Sequence, residues 1–147
     1  EIFNYALGTL DAKISLAFDG ADFSRFGAKD ATVSPLGTVT TTECEARHAG
    51  AVVKGLGLNN VDLIKIDCEG AEYDVLTALP EEMLLQCQWI VGEMHDVSAF
   101  NLLALLAPHF DLDLKKRMFA PSFRFHACNL ACVQQLQGTF DRNALQR

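Results

Sequence analysis

The sixteen residues from Val61 to Leu76 constrain the fold more than any other part of the chain. They read Val-Asp-Leu-Ile-Lys-Ile-Asp-Cys-Glu-Gly-Ala-Glu-Tyr-Asp-Val-Leu. The first six residues are typical of a short buried strand, and the residues from Glu69 onward are typical of a helix with an acidic first turn. Ligands of open parallel sheets bind at the carboxyl ends of the strands. We therefore expect functional residues at the junction between this strand and this helix.

The length, charge and cysteine pattern narrow the class of protein. A chain of 147 residues is long enough for one domain with one core. A net charge of −7 argues against an extended nucleic-acid footprint, and no apolar stretch approaches the ~20 residues that span a bilayer. The five cysteines are odd in number and irregularly spaced, which argues against a disulfide framework and favours a reducing, cytoplasmic location. His126, Cys128 and Cys132 lack a second pair at zinc-site spacing, so we assign no metal there.

Strand-like and helix-like segments alternate along the chain. A strand ends within residues 1–8, and an irregular loop covers 19–37. Further strands are predicted at 13–18, 38–42, 61–66, 89–94, 110–118 and 123–133, and helices at 43–56, 69–79, just after Pro80, and 98–107. The last two strands are joined by a turn at Pro121 and should form an antiparallel hairpin. This pattern predicts a single-domain α/β fold with a mostly parallel sheet and an antiparallel C-terminal hairpin.

Polar side chains follow two strands of this predicted sheet. Side chains two residues apart on a strand point the same way, so Lys65 shares a face with Asp67, and Glu93 shares a face with His95. If the two strands are parallel neighbours, these groups and Glu69 meet at one end of the sheet. Crowded carboxylates beside an imidazole suit proton transfer near neutral pH. The same groups could instead hold a divalent cation.

Ordinary structural roles are open for the same residues. Lys65 could form an ion pair with Asp67 or Glu93, and Asp67 could cap the following helix. Glu69 and Glu72 lie in the first helical turn, where the helix dipole favours acidic side chains. Glu93 is harder to explain structurally, because it ends a strand that otherwise reads Trp-Ile-Val-Gly and its carboxylate must find a partner.

The segment from Val61 to Leu76 resembles the signature of the FkbM-type methyltransferases, which use S-adenosylmethionine and have the class I Rossmann-like fold. The family pattern is a strand ending in Lys-Ile-Asp, then a hydrophobic residue, Glu-Gly-Ala-Glu and a Val-Leu pair, with Cys68 in the hydrophobic slot. Residues 4–8, Asn-Tyr-Ala-Leu-Gly, resemble the end of the family's third strand. Glu93-Met94-His95 resembles the Glu-x-His that ends its fifth strand.

The resemblance implies methyl transfer from S-adenosylmethionine to a hydroxyl of a sugar or other small-molecule natural product. It implies that Asp67, Glu93 and His95 line the reaction centre, with His95 or Glu93 as the base and Lys65 orienting the carboxylates.

The resemblance further implies that the cofactor lies against three residues, with Tyr5 and Ala6 near its adenine and Asp67 at the strand end. Glu69 and Glu72 are expected to brace the loop and the helix.

The family's glycine-rich cofactor loop is expected before residue 1. On this interpretation residues 1–147 are the C-terminal part of a methyltransferase domain that lacks its first two strands. They divide into a strand, loop and helix region at 1–60, a motif-bearing α/β core at 61–133 and a tail at 134–147. In the family's strand order, 3-2-1-4-5-7-6, the strand at 61–66 loses a neighbour and the strand at 1–7 lies apart from it.

Two other classes of function are open on the residues alone. One is a metal-dependent enzyme with Asp67, Glu93 and His95 as ligands. The other is a non-catalytic, truncated methyltransferase-like module.

Overall fold

The computed structural model describes residues 2–19, 26–27, 39–95, 98–116 and 122–132, which form an α/β arrangement with two four-stranded sheets. The strands are β1 Ala6–Gly8, β2 Ala12–Asp19, β3 Phe26–Gly27, β4 Val39–His48, β5 Leu63–Ile66, β6 Trp89–Met94, β7 Phe110–Lys116 and β8 Phe123–Asn129. The helices are α1 Ala49–Gly55, α2 Glu72–Thr77, α3 Glu81–Gln86 and α4 Ser98–Leu106. None of the helices in these ranges is long and apolar enough to cross a membrane.

The first sheet has the strand order β1-β4-β2-β3, with β1 parallel to β4 and the other neighbours antiparallel. The helix predicted at 43–56 is wrong in its first half, because β4 continues to His48 and α1 begins only at Ala49. Register pairs with β2 at residues 43–46 and with β1 at residues 46–48 hold this segment extended. The imidazole of His48 then caps α1 by accepting a hydrogen bond from the Ala51 amide. The loop predicted at 19–37 lies largely outside the described residues, apart from the short strand β3.

The second sheet carries the signature segment and has the order β5-β6-β8-β7. Its first pair is parallel, and β6–β8 and β8–β7 are antiparallel. The predicted antiparallel pairing of the last two strands is confirmed. The prediction of a mostly parallel sheet is wrong, because both sheets are mixed. The parallel strands β5 and β6 are joined through the helices α2 and α3, because parallel pairing needs a crossover connection.

The strands β1 and β5 belong to different sheets. In the described part of the chain, β1 pairs with β4, and β5 pairs with β6 alone. The strand at the start of the chain therefore lies in a different sheet from the signature strand.

One face of the second sheet is covered by helices and forms the core. Phe125 and Ala127 of β8 are fully buried, whereas Arg124 and His126 between and beside them are exposed. The core cluster combines such inward-facing strand residues with helix residues: Ile66, Leu76, Leu84, Cys87, Ile90, Met94, Ala99, Leu102, Leu106, Phe110, Phe125 and Ala127. Burial at alternate strand positions fixes the register, because a shift of one residue would expose the whole set. The core thus holds the carboxyl ends of β5 and β6 side by side.

Candidate functional site

The candidate site lies where β5 and β6 end. The parallel register pairs Ile66 with Gly92, so Asp67 and Glu93 follow at neighbouring positions. One ligand atom from each of Asp67, Glu93 and His95 lies within 4.8 Å of the others. The structure therefore brings together the three residues that the sequence placed at one end of the sheet.

His95 is the least exposed member of this group, with a side chain that is 12% exposed. Its Nδ1 lies 2.8 Å from Oε1 of Glu72. Its Nε2 lies 3.5 Å from a carboxylate oxygen of Glu69 and 3.8 Å from one of Glu93. The ring therefore turns one nitrogen toward a helix and the other toward the cluster.

Glu72 is a buried carboxylate, although it sits in the first turn of a helix. Its side chain is 1% exposed, and its oxygens accept hydrogen bonds from the amides of Cys68 and Gly70 at 3.1 to 3.2 Å. Glu72 therefore braces the loop, as expected. Its contact with His95 was not predicted; the available signal was that Glu72 shares a helix face with the buried Leu76, four residues on.

The loop between β5 and α2 has an unusual backbone. Glu69 has a φ of +53° and Gly70 a φ of +110°, and a non-glycine residue in the left-handed region is a feature often found at functional sites. The pKa of the Cys68 thiol in this loop is raised to about 12, because burial and then the Glu72 carboxylate disfavour the thiolate. The predicted cap role of Asp67 is wrong, because the residue that caps α2 is Ala71 and no side chain caps the helix.

Glu93 is bound by two side chains from the region of β8. The Ser122 hydroxyl donates a hydrogen bond to Oε2 at 2.8 Å, and the Arg124 Nε donates one to Oε1 at 3.1 Å. The antiparallel register pairs Glu93 with Arg124 directly. The Ser122 hydrogen bond, followed by the Arg124 hydrogen bond, lowers the pKa of Glu93. Glu93 is thus held as an anion, which makes it a weak base at neutral pH.

A cavity of about 740 Å³ is bounded by residues of both sheets, and Asp67 and Glu69 line it whereas Glu93 and His95 do not. Ala6 of β1 lines one side, and Lys65 and Asp67 line the other, as do Ile64 and Ile66. Its walls are largely apolar, with a few charged groups at the end of β5. The Asp67 side chain, immediately after β5, therefore forms part of the cavity wall.

Lys65 and Tyr5 do not take up the contacts expected of them. Within the described residues, Lys65 forms no ion pair with Asp67 or Glu93, so both its structural pairing and its role in orienting the carboxylates lack a contact. Tyr5 is not among the residues that line the cavity. Its ring lies 5.7 Å from that of Phe3 and 5.8 Å from the guanidinium of Arg47.

Comparisons with known proteins agree with these features. The profile described as "Methyltransferase FkbM domain" matches residues 3–120. A curated relative, the AMB antimetabolite synthetase AmbE of Pseudomonas aeruginosa, is 43% identical over 53 residues, which are 36% of this chain and 2% of the relative. The chain thus spans a small fraction of that relative's length, and no solved structure matches. Since the profile covers most of the chain, including β5, the loop and β6, the chain belongs to the FkbM methyltransferase family, whose members depend on S-adenosylmethionine.

Proposed function

We propose that this chain takes part in S-adenosylmethionine-dependent methylation of a hydroxyl oxygen on a sugar or another small natural product. The observation that supports this most is the meeting of Asp67, Glu93 and His95 at the edge of a cavity that Asp67 lines. The relative's name, an antimetabolite synthetase, agrees with a small natural product as the acceptor.

The cavity has the dimensions of a small-molecule site. A volume of about 740 Å³ lies within the roughly 300–1,000 Å³ of small-molecule sites. Apolar walls from Ala6, Ile64 and Ile66 suit the adenine ring, and the Asp67 carboxylate can accept hydrogen bonds from polar groups. S-adenosylmethionine, when bound, supplies the methyl group.

His95 is the base in this proposal. Its Nε2 faces the cluster, whereas the lowered pKa of Glu93 makes that carboxylate a poor proton acceptor. When Nε2 takes the hydroxyl proton, the new positive charge lies 3.8 Å from the Glu93 carboxylate, which stabilises it. A positioned base contributes about 10²–10⁴-fold to the rate, and correct placement of the reactants can contribute roughly 7–11 kcal/mol.

The base assignment is tested by substituting His95 and Glu93. Transfer of a radiolabelled methyl group from S-adenosylmethionine is first screened against hydroxylated saccharides and small natural products. With an accepted compound, His95→Ala should lower kcat by about 10²–10⁴-fold. Glu93→Gln should have a smaller effect, and His109→Ala, at an exposed position after α4, should have none. Activity of His95→Ala within a few-fold of wild type would contradict the assignment.

A divalent cation at the same residues is the second candidate function. Asp67, Glu93 and His95 offer oxygen and nitrogen ligands within 4.8 Å of one another, and the carboxylate on Nδ1 of His95 is a common partner of metal-binding histidines. Against this, both oxygens of Glu93 already accept hydrogen bonds. Loss of activity on chelation, with recovery in magnesium, manganese or zinc, would favour the metal-dependent enzyme.

Cofactor binding distinguishes the third class of function, a non-catalytic module, from an enzyme that uses S-adenosylmethionine. Calorimetric titration with S-adenosylhomocysteine should show saturable binding that weakens in Asp67→Ala. The matched control is Asp74→Ala, at an exposed position of α2 that does not line the cavity. Absence of binding by the whole protein would support the module.

The location of the protein in the cell is a separate proposal, which rests on the odd number and irregular spacing of the five cysteines. A cytoplasmic location remains a prediction, to be tested by fractionating the cells that express the protein.

A further inference from the structure

We infer that Glu72 is a positioning residue that holds neutral His95 in one tautomer, with the proton on Nδ1 and an open lone pair on Nε2. The catalytic consequence rests on the proposed function, since only an acceptor nitrogen can take the hydroxyl proton. The tautomer itself is a property of the folded protein, whatever reaction it catalyses.

The hydrogen bonds around Glu72 identify the donor and the acceptor. Oε1 accepts from the amides of Cys68 at 3.1 Å and Gly70 at 3.2 Å, and Oε2 accepts from Gly70 at 3.1 Å. A backbone N–H can only donate, so both carboxylate oxygens act as acceptors. The remaining partner of Oε1 is Nδ1 of His95 at 2.8 Å, which must therefore carry the proton.

The opposite tautomer is unfavourable at this position. It would place the lone pair of Nδ1 against a carboxylate oxygen at 2.8 Å. Glu72 is 1% exposed and His95 12% exposed, so little water is available to separate the two groups. A buried pair of acceptors without a proton between them is costly.

The surrounding backbone keeps the two side chains in contact. The loop wraps its amides around the carboxylate through the positive φ values at Glu69 and Gly70. Ser98 joins the other side, because its hydroxyl donates to the carbonyl of His95 at 2.9 Å and lies 3.4 Å from that of Gly70. The loop after β5 and the segment after β6 are thereby tied together, and a turn of the His95 ring would break its hydrogen bond to Glu72.

With Nδ1 fixed, Nε2 is the nitrogen that faces the cluster. It lies 3.5 Å from Glu69 and 3.8 Å from Glu93. A carboxylate that orients an imidazole in this way is the device that gives a histidine base one reactive nitrogen. Glu72 would thus act on the reaction through His95 without touching the substrate.

Nuclear magnetic resonance of the wild-type protein tests the tautomer directly. Two-bond ¹H–¹⁵N correlations distinguish protonated from unprotonated ring nitrogens, and a pH series carried into the alkaline range records the spectrum of the neutral ring. We expect His95 to show a protonated Nδ1 and an unprotonated Nε2. The exposed His109 serves as the internal reference and should show a mixture. A proton on Nε2 of His95 in the folded wild type would overturn the inference.

Substitution of Glu72 tests whether this residue fixes the tautomer of His95. In Glu72→Ala the His95 signals should move toward the mixture shown by His109, and kcat should fall about 10–10³-fold because His95 loses its preferred tautomer. Glu81→Ala, an exposed acidic residue in the first turn of α3, is the matched control and should change neither readout. A folded Glu72→Ala protein that keeps the proton on Nδ1 would contradict the assigned role.

The two proposals fail in different ways. The predicted tautomer without methyl transfer to any compound would reject the proposed function and leave the Glu72–His95 pair standing. Methyl transfer with His95 protonated on Nε2 would support the proposed function and reject the inferred tautomer. If Glu72→Ala does not fold, the wild-type spectrum still decides the tautomer.

Discussion

Replacing Gly92 by alanine should disturb both the fold and the candidate site. A Cβ added at Gly92 would lie 1.8 Å from the carbonyl oxygen of Ile66 and 2.8 Å from its carbonyl carbon. Carbon and oxygen atoms in close contact ordinarily stay about 3.3 Å apart. The contacted atoms belong to the backbone of the neighbouring strand, so no change of rotamer relieves the overlap. We therefore expect β5 and β6 to separate locally by roughly 1.5 Å, the difference between these distances.

The size of the effect follows from this displacement. Overpacking of this kind costs about 1–3 kcal/mol, which lowers the urea midpoint by about 0.5–1.5 M for an m-value near 2 kcal/mol/M. The shift also moves Asp67 away from Glu93 and His95, and a misplacement of about 1 Å can reduce the rate about 10²-fold.

Gly55 provides the matched control for this substitution. A Cβ at Gly55 meets nothing within 4 Å, and the residue ends α1. Gly55→Ala should leave stability unchanged or raise it by up to about 1 kcal/mol. Urea unfolding followed by circular dichroism compares both variants with wild type. Equal midpoints for Gly92→Ala and Gly55→Ala would refute the reasoning from close strand approach.

Three further results are expected. Iodoacetamide at about pH 8 should label Cys68 about 10³ times more slowly in the folded than in the urea-unfolded protein, because its pKa is raised from 9.0 to about 12; equal rates by mass spectrometry would exclude the shift. The lowered pKa of Glu93 means that its ionised contacts stabilise the fold above the unfolded-state pKa and cease to do so as pH falls through the folded-state value. Arg124→Ala should therefore lower the free energy of unfolding at neutral pH but not in acid, where Glu93 is protonated. Urea unfolding of both proteins over a pH series measures this, and a difference from wild type that is the same at every pH would contradict it. Asn129→Ala should cost about 1–3 kcal/mol, because the buried amide donates to two backbone carbonyls at 2.8 and 3.0 Å; the exposed Asn101→Ala is its control, and equal unfolding midpoints would exclude the role.

Elements whose pattern is local could be predicted from the sequence. The strand predicted at 89–94 is β6, Trp89–Met94, because an apolar run there is bounded by breaks in the pattern. The segment at 43–48 forms a strand and not the predicted helix, and it alternates exposed Glu43, Glu45 and Arg47 with less exposed residues. That period of two is a strand signal, and pairing with β2 outweighs the local preference of the glutamates for helix.

Some contacts of the candidate site could also be predicted from the sequence, and others could not. Asp67, Glu93 and His95 could be predicted to meet, because each ends one of two strands that a helical crossover makes parallel neighbours. The contact of Glu72 with His95 spans 23 residues of sequence, and that of Arg124 with Glu93 spans 31. Such contacts depend on the path of a loop and on the register of an antiparallel neighbour, which composition and spacing do not specify.

The position of β5 has a consequence for how activity should respond to denaturant. Within the described residues, four register pairs with β6 are the ladder that holds this strand, and Asp67 lies immediately beyond its end. With one neighbour in the described part of the chain, β5 can detach while the other three strands of this sheet stay folded, as a sub-global opening of low free energy. Asp67 would then leave the cluster in a protein that is otherwise native. Amide hydrogens of Leu63 to Ile66 should exchange faster than those of β6, and methyl transfer should fade at urea concentrations below the global midpoint.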